Sequence, residues 1–348
     1  MIINDKISLK TTHLEALKRM DEIKRKLLFV LDGDIFLGVV SIGDIQRAII
    51  NQTDINEPIQ KTLRKHITAA SVDQSFDEIK KIMIEKRAEA MPIINNEGKL
   101  EKIIYWEDIV EESILIKPPE LNLPVVIMAG GKGTRLRPIT NVIPKPLVPI
   151  GDITIVEEIM NRFKNYGSSN FYMSVNYKAE LIEYYFKNES KQKYDITYFK
   201  EDKPLGTAGS LHLLKDQLKT TFFVSNCDII VEDDYSEILR YHRENKNELT
   251  LVAALKTYNI PYGTIETVEN GLLGSLNEKP TLTIMINAGF YILEPHLINE
   301  IPADSFFHIT ELIEKLRTKN RRVGVFPISE NSWKDMGEWN DYLKLING

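Results

Sequence analysis

Residues 126–146 read VIMAGGKGTRLRPITNVIPKP, and this stretch decides how the second half of the chain is read. Val125 to Met128 is a short apolar run with the composition of a buried strand. It breaks into Gly130-Gly131-Lys132-Gly133, then Thr134, Arg135 and, between two prolines, Lys145. Glycines directly after a strand let backbone N–H groups approach an anion with no side chain in the way. Arg135 and Lys145 add cationic donors matched to phosphate oxygens. The chemistry suggested is a nucleoside triphosphate gripped by main chain and two cations. The plainer alternative is a glycine-rich loop with incidental surface charge. Two better-known motifs do not fit. A dinucleotide fingerprint needs a third glycine where Leu136 stands, and a P-loop ends in Gly-Lys-Ser/Thr.

Outward from this loop the pattern alternates strand and helix. IVEEIMNRFKNYG, residues 155–167, is an amphipathic helix closed by glycine. NFYMSVNY reads as a strand and AELIEYYFKN as a helix, and DITYFKE leads into Asp202–Ser210 and a further helix. TFFVSNCDIIV, residues 221–231, is the next strand. The class is α/β, a doubly wound, Rossmann-like sheet with ligands at the strand C-terminal ends. Asp228 stands at the end of an apolar run, where a carboxylate is well placed to hold Mg²⁺; the alternative is a turn or helix-cap residue.

The string G-G-x-G-T-R-L followed by P-K-P resembles the signature of the sugar-1-phosphate nucleotidylyltransferases. Further elements resemble that family in the expected order, from Val125 to about Tyr342. The resemblance makes Arg135 and Lys145 catalytic. It places Gly130, Gly131, Gly133 and Thr134, with Gly206 and Thr207 of L-G-T-A-G, on the nucleotide. Trp333-Lys334-Asp335-Met336-Gly337 resembles the W-x-D-x-G element, so Asp335 joins Asp228 as a ligand for Mg²⁺ or Mn²⁺. Asp228 follows Asn226-Cys227, whereas many relatives have a glycine before this aspartate. Glu278-Lys279-Pro280 resembles E-K-P, with Lys279 on the sugar phosphate and Glu278 on a sugar hydroxyl. Tyr262-Gly263 and Asn287-Ala288-Gly289 resemble elements lining the sugar pocket.

The reaction implied is NTP plus sugar 1-phosphate giving NDP-sugar and pyrophosphate. In relatives the residue five before the glycine of L-G-T-A-G contacts the base edge; here it is Glu201. Guanine presents two adjacent donors, N1–H and N2–H₂, which a carboxylate accepts together, whereas uracil and thymine set carbonyls against it. GTP is therefore the expected nucleotide, with uridylyl, thymidylyl or cytidylyl transfer as alternatives.

The first 118 residues read as a separate domain: repeats at about 1–60 and 61–118, a linker at 119–123 within the proline-rich Lys117–Pro124, and the transferase over 124–348. LLFVLDGDIFLGVVSIGDIQRAI, residues 27–49, lines up with AMPIINNEGKLEKIIYWEDIVEES, residues 90–113. Each copy is a strand, a turn rich in Asp, Asn and Gly, a second strand and a helix opening near an acidic residue, Asp44 or Asp108. An amphipathic helix precedes each copy, at Thr12–Lys26 and Ser75–Lys86. The arrangement resembles a tandem CBS pair, whose members often bind adenine nucleotides between the repeats. There an Asp three residues after Ser/Thr holds the ribose. Ser41-Ile42-Gly43-Asp44 fits that pattern; Tyr105-Trp106-Glu107-Asp108 departs from it at Tyr105. Without a ligand, each aspartate is a helix N-terminal carboxylate favoured by the macrodipole. A CBS pair ahead of a transferase resembles the glucosamine-1-phosphate guanylyltransferases of bacterial legionaminic acid pathways; mannose or heptose 1-phosphate is the alternative sugar. The rival from another class is an adenine-nucleotide sensor with an inactive transferase fold.

Bulk properties narrow the partners. A net charge of −6 favours neither nucleic acid nor an anionic membrane. No apolar run reaches the length of a membrane span, the N-terminal twenty residues are too polar for a signal peptide, and one cysteine, Cys227, suits the cytoplasm. Scattered histidines argue against zinc. The expected partners are GTP, a sugar 1-phosphate and an adenine nucleotide, in a homodimer or higher homo-oligomer.

Overall fold

The computed structural model describes residues 5–64, 68–86, 88–105, 119–339 and 342–343, with backbone alone for 84 and 85. The chain divides into two compact units, Met1–Ile116 and Lys117–Gly348.

The first unit holds β1 (Lys6–Ser8), α1 (His13–Ile23), β2 (Leu27–Asp32), β3 (Ile35–Ser41), α2 (Ile42–Ile50), β4 (Ala70–Ser71), α3 (Phe76–Lys86), β5 (Ala90–Ile94) and β6 (Leu100–Tyr105). The sequence repeat is visible as two three-stranded sheets, β1-β2-β3 and β4-β5-β6. In each, a parallel pair joined through a helix is followed by an antiparallel hairpin. α1 starts at a capping box, Thr12 to the Glu15 N–H and Glu15 back to the Thr12 N–H, which satisfies two otherwise orphaned donors. The repeats share an apolar cluster of Phe29, Val39 and Ala90, with Phe36, Leu100, Ile103 and Tyr105 packed on it. Their hairpins are tied by Phe36 N–H to Gly98 C=O at 2.9 Å and Leu100 N–H to Asp34 C=O at 3.1 Å.

The second unit holds β7 (Val125–Met128), β8 (Pro149–Ile150), β9 (Ile153–Thr154), α4 (Ile155–Asn165), β10 (Asn170–Val175), α5 (Ala179–Tyr184), β11 (Asp195–Lys200) and β12 (Phe222–Asn226). It continues through β13 (Ile229–Val231), α6 (Tyr235–Glu244), β14 (Leu249–Asn259), β15 (Thr264–Thr267), β16 (Leu273–Asn277), β17 (Thr281–Leu293), α7 (Ile309–Thr318), β18 (Val323–Ser329) and β19 (Trp333–Asp335). Seven strands form one sheet in the order β11-β10-β7-β12-β17-β14-β18, parallel except for β17. β7 is apolar throughout because both of its faces are covered. Val125 and Ile127 join the core beneath α4 and α6, while Val126 joins the opposite core with Leu312 and Leu316 of α7. Strand order reverses about β7: the chain runs outward through β10 and β11, then returns to β12 on the other side. Such a switch point leaves a crevice at the strand C-terminal ends, where ligands of open α/β sheets sit. The glycine loop opens from the end of β7 into that position.

Two local expectations differ from the structure. Residues 221–231 are not one strand: the chain turns at Cys227 and Asp228, and β13 leaves the main sheet to pair with β19. After L-G-T-A-G the backbone forms a 3₁₀ segment, Gly209–Leu214, in place of an α-helix. Among the described residues no helix is long and apolar enough to cross a membrane.

Candidate active site

The break at Asp228 has a chemical consequence. β13 pairs antiparallel with β19 so that Ile229 faces Asp335, and Met336 N–H donates to Asp228 C=O at 2.8 Å. Two aspartates 107 positions apart in sequence are thereby brought to one spot. Gly337 marks it: a Cβ built there would lie 2.6 Å from Asp228 Oδ2, 2.8 Å from Asp335 Oδ1 and 3.0 Å from Lys145 Nζ. Lys145 and Asp228 form an ion pair with side chains only 11% and 8% exposed. Burial, and then the charge of Asp228, push the Asp335 carboxyl above its usual range. One ammonium thus faces two carboxylates in a shielded pocket, and a further cation would relieve their repulsion. Among the described residues no three His, Cys, Asp or Glu side chains form a metal cluster. Two carboxylates suffice for a hard cation that draws its other ligands from phosphates and water.

The glycine loop stands over this pocket. Gly133 adopts φ +61°, and a Cβ there would meet both the Lys145 stem and Thr140 Cγ2 at 2.9 Å. Thr140 Oγ1 donates to Gly133 C=O at 2.7 Å, which fixes the turn. Thr134 and Arg135 are exposed on the 3₁₀ turn Thr134–Leu136, and Gly131 has open space where a Cβ would stand. Arg135 Nη1 donates to Glu338 Oε1 at 3.2 Å, and Trp339 Nε1 to Arg137 C=O at 2.7 Å. The segment carrying Asp335 therefore also grips the loop.

Glu201 follows β11 and is 4% exposed. Its Oε1 accepts from Ser174 of β10, and its Oε2 from Leu205 N–H at 2.9 Å. Gly130 is pressed against it: a Cβ there would lie 2.8 Å from Glu201 Oε1. The carboxylate meets the glycine loop with one bond already on each oxygen, so a ligand would have to use the lone pairs that remain. Gly206, at φ +81°, leaves 2.7 Å between a built Cβ and Phe307 C=O. Ala208 and Gly209 N–H groups donate to that same carbonyl at 3.0 Å. Thr207 Oγ1 accepts from Ile309 N–H at 3.0 Å, at the start of α7. The L-G-T-A-G segment is thus clamped to the turn before α7.

The elements expected at the sugar lie at the base of the β15–β16 hairpin, just before β15 and between β16 and β17, and on β17. A Cβ at Gly263 would stand 2.9 Å from Glu278 Oε2, and Lys279 turns the chain at φ +45°. Asn287 Oδ1 accepts from Gly289 N–H at 3.1 Å. Gly289, at φ +75°, packs on Asn226, two residues before Asp228, with 2.6 Å from a built Cβ to Asn226 Nδ2.

In the first unit Asp44 is buried and fully engaged. Ser41 N–H and Oγ donate to its Oδ2 at 2.9 and 2.7 Å, and Arg64 Nε to its Oδ1 at 2.9 Å, with Arg47 on the same oxygen. Burial alone would raise its pKa, but the bonds from Arg64 and Ser41 outweigh that and hold it below the usual carboxylate range. Asp108 lies outside the described residues. A cavity of about 310 Å³ opens between the repeats, lined by Asp5 and Lys6 of the first and residues 100–103 and Tyr105 of the second.

Several participants were not read from sequence. Glu338 and Trp339 carried a signal, lying within four residues of Asp335. Arg47 stands three after Asp44, a helical ion-pair spacing. Ser174 and Arg64 had none, because their contacts depend on the register between distant elements.

Residues 124–348 match the nucleotidyl transferase family, and residues 59–114 match the CBS domain. The chain is 34% identical over 226 residues to the mannose-1-phosphate guanyltransferase of Saccharomyces cerevisiae, covering 63% of this chain and 62% of that one. It is 30% identical over 250 residues to the UTP–glucose-1-phosphate uridylyltransferase of Synechocystis, covering 65% and 63%. It thus spans a little over three-fifths of the length of these relatives. The crystal structure of HddC from Yersinia pseudotuberculosis complexed with GMP-PN superposes with a TM-score of 0.51 at 25% identity, over 65% of this chain and 98% of that one. The loop after β7, the carboxylate pair and this match agree: the chain belongs to the nucleotidyl transferase family, with a CBS domain ahead of the transferase domain.

Proposed function

We propose that this protein is a sugar-1-phosphate guanylyltransferase, joining GTP to a hexose 1-phosphate and releasing pyrophosphate. The observation that carries the reading is the convergence of Lys145, Asp228 and Asp335 about Gly337, under a glycine loop at the switch point of the sheet. The sugar phosphate oxygen attacks the α-phosphorus as the bond to the leaving pyrophosphate breaks. A phosphate dianion is already a nucleophile near neutral pH, so no general base is needed, and catalysis is positioning plus charge neutralisation. Arg135 and the N–H groups of Gly130, Gly131 and Gly133 hold the β and γ phosphates. Lys145 exchanges its bond to Asp228 for the α-phosphate. Lys279 presents the sugar phosphate, while Glu278, Gly263 and Asn287 line the sugar. Asp228 and Asp335 hold Mg²⁺ or Mn²⁺, which when bound supplies the charge that offsets repulsion between the two anions.

GTP is favoured by the guanylyltransferases among the relatives and by a carboxylate, Glu201, beside the nucleotide loop. The sugar proposed is glucosamine 1-phosphate, from the CBS pair ahead of the transferase; the names of the relatives favour mannose 1-phosphate as the second reading. The first unit is proposed to take an adenine nucleotide, for which Asp44 must exchange Arg64 or Arg47 for ribose hydroxyls. Pyrophosphate release measured over a panel of nucleoside triphosphates and sugar 1-phosphates tests the proposal. Release with GTP and a hexose 1-phosphate is expected; release only with UTP or dTTP would overturn the assignment of the base.

A further inference from the structure

We infer that Glu338 is a counter-ion that competes with the triphosphate, and then with departing pyrophosphate, for the Arg135 guanidinium. It would be a positioning residue that sets how tightly the phosphates are held and how readily pyrophosphate leaves. The inference rests on the reading of Arg135 as a triphosphate ligand.

Glu338 does not reach Arg135 as a wandering surface side chain. The backbone before it is tied to the carboxylate pair, by Gly337 N–H to Asp335 Oδ1 at 2.7 Å and Met336 N–H to Asp228 C=O at 2.8 Å. The residue after it is tied to the glycine loop, by Trp339 Nε1 to Arg137 C=O at 2.7 Å. Position 338 is held between the two halves of the site, and its carboxylate meets Arg135 Nη1 at 3.2 Å.

Both side chains are 56% exposed, so the pair contributes little to the fold. Its effect falls on the ligand. A carboxylate there occupies one N–H direction of the guanidinium and adds negative charge where a triphosphate must sit. Entry of the nucleotide breaks the pair. After transfer, Glu338 is in reach to take the guanidinium back, which lowers the cost of losing pyrophosphate. Lys145 differs in kind: its partner Asp228 is buried and belongs to the metal-binding pair.

The test is steady-state kinetics on the full chain, following NDP-sugar by chromatography, with the nucleoside triphosphate that the wild type uses best. Glu338→Gln keeps the shape and removes the charge. The KM for the nucleotide and the inhibition constant of pyrophosphate should both fall about three- to tenfold. The KM for the sugar phosphate should stay within about twofold. Glu338→Asp, which keeps the charge on a shorter side chain, should fall between wild type and Glu338→Gln, and about 0.5 M salt should shrink the difference. A purely structural role would shift thermal stability, or all constants together. Unchanged or raised nucleotide KM and pyrophosphate constants in Glu338→Gln would overturn the inference. Arg135→Ala separates the two readings. If it weakens both ligands while Glu338→Gln does nothing, the triphosphate grip stands and only the role of Glu338 falls. If Arg135→Ala leaves both unchanged, both fall.

Discussion

At the scale of single residues, Lys145 has two distinct jobs. It neutralises Asp228 within the protein, and by our proposal it then neutralises the α-phosphate. Lys145→Ala should lower turnover by about two orders of magnitude or more, from lost transition-state charge stabilisation. It should also leave a buried carboxylate unpaired beside a second one, which destabilises the fold. The variant should melt below wild type, and Mg²⁺ should raise its Tm by more than it raises that of wild type. An equal Mg²⁺ response in both would separate Lys145 from the metal site proposed at Asp228 and Asp335. Arg135, Lys145 and Asp335 stood out in the sequence because they sit in short mixed strings such as G-T-R-L, I-P-K-P and W-K-D-M-G, and Lys145 and Asp335 do converge at Gly337. Glu201 was singled out by its spacing from L-G-T-A-G, and the fold sets it against Gly130 of the glycine loop. Its bonds to Ser174 and Leu205 were not, since they arise only once β10 and β11 pair in register.

At the scale of elements, glycines separate chemistry from folding. Gly337→Ala would place a methyl among the ends of three side chains, which can yield only by loosening the Lys145–Asp228 pair. The fold should survive at a cost of about 1–2 kcal/mol, while the displaced carboxylates lower turnover severely. Gly206→Ala meets the opposite case, a backbone carbonyl of Phe307 at 2.7 Å and φ +81°. Neither can yield cheaply, so this variant should lose about 2–4 kcal/mol of stability. Chemical denaturation and turnover on both variants check the contrast; a stable Gly206→Ala would contradict the clamp on residues 305–308. The break between β12 and β13 was missed by pattern reading. Ser225, Asn226 and Asp228 interrupt an otherwise apolar Phe222–Val231, a turn signal that was outweighed by the apolar runs on either side, and the pairing of β13 with β19 shows that the chain leaves the sheet there.

At the scale of the whole molecule, the two faces of the sheet and the repeat in the first unit followed from hydrophobic patterning, whereas the antiparallel strand β17 did not. Charged pairs line the far edge of the sheet, beside the β14–β18 ladder. Arg321 binds Glu248, with Nε to Oε1 at 2.9 Å, and Glu300 Oε2 accepts from Lys319 at 2.6 Å. The bond from Arg321 holds Glu248 at about 2, and bonds from Lys319 and Lys315 hold Glu300 at about 2. Both are depressed from an ordinary 4.5, so their contribution is complete above that pH and is lost as pH falls toward 2. Melting temperature should drop across this window, and Glu248→Gln should drop less than wild type; equal slopes would remove the network from the account. The central claim is that loop, lysine and carboxylates together perform nucleotidyl transfer. Phosphorus NMR of the full chain with GTP, a hexose 1-phosphate and Mg²⁺ tests it most directly. The account predicts the coupled signals of a diphosphate ester together with an equal amount of pyrophosphate. GDP and inorganic phosphate, or an unchanged spectrum with each of mannose, glucosamine and glucose 1-phosphate, would contradict it.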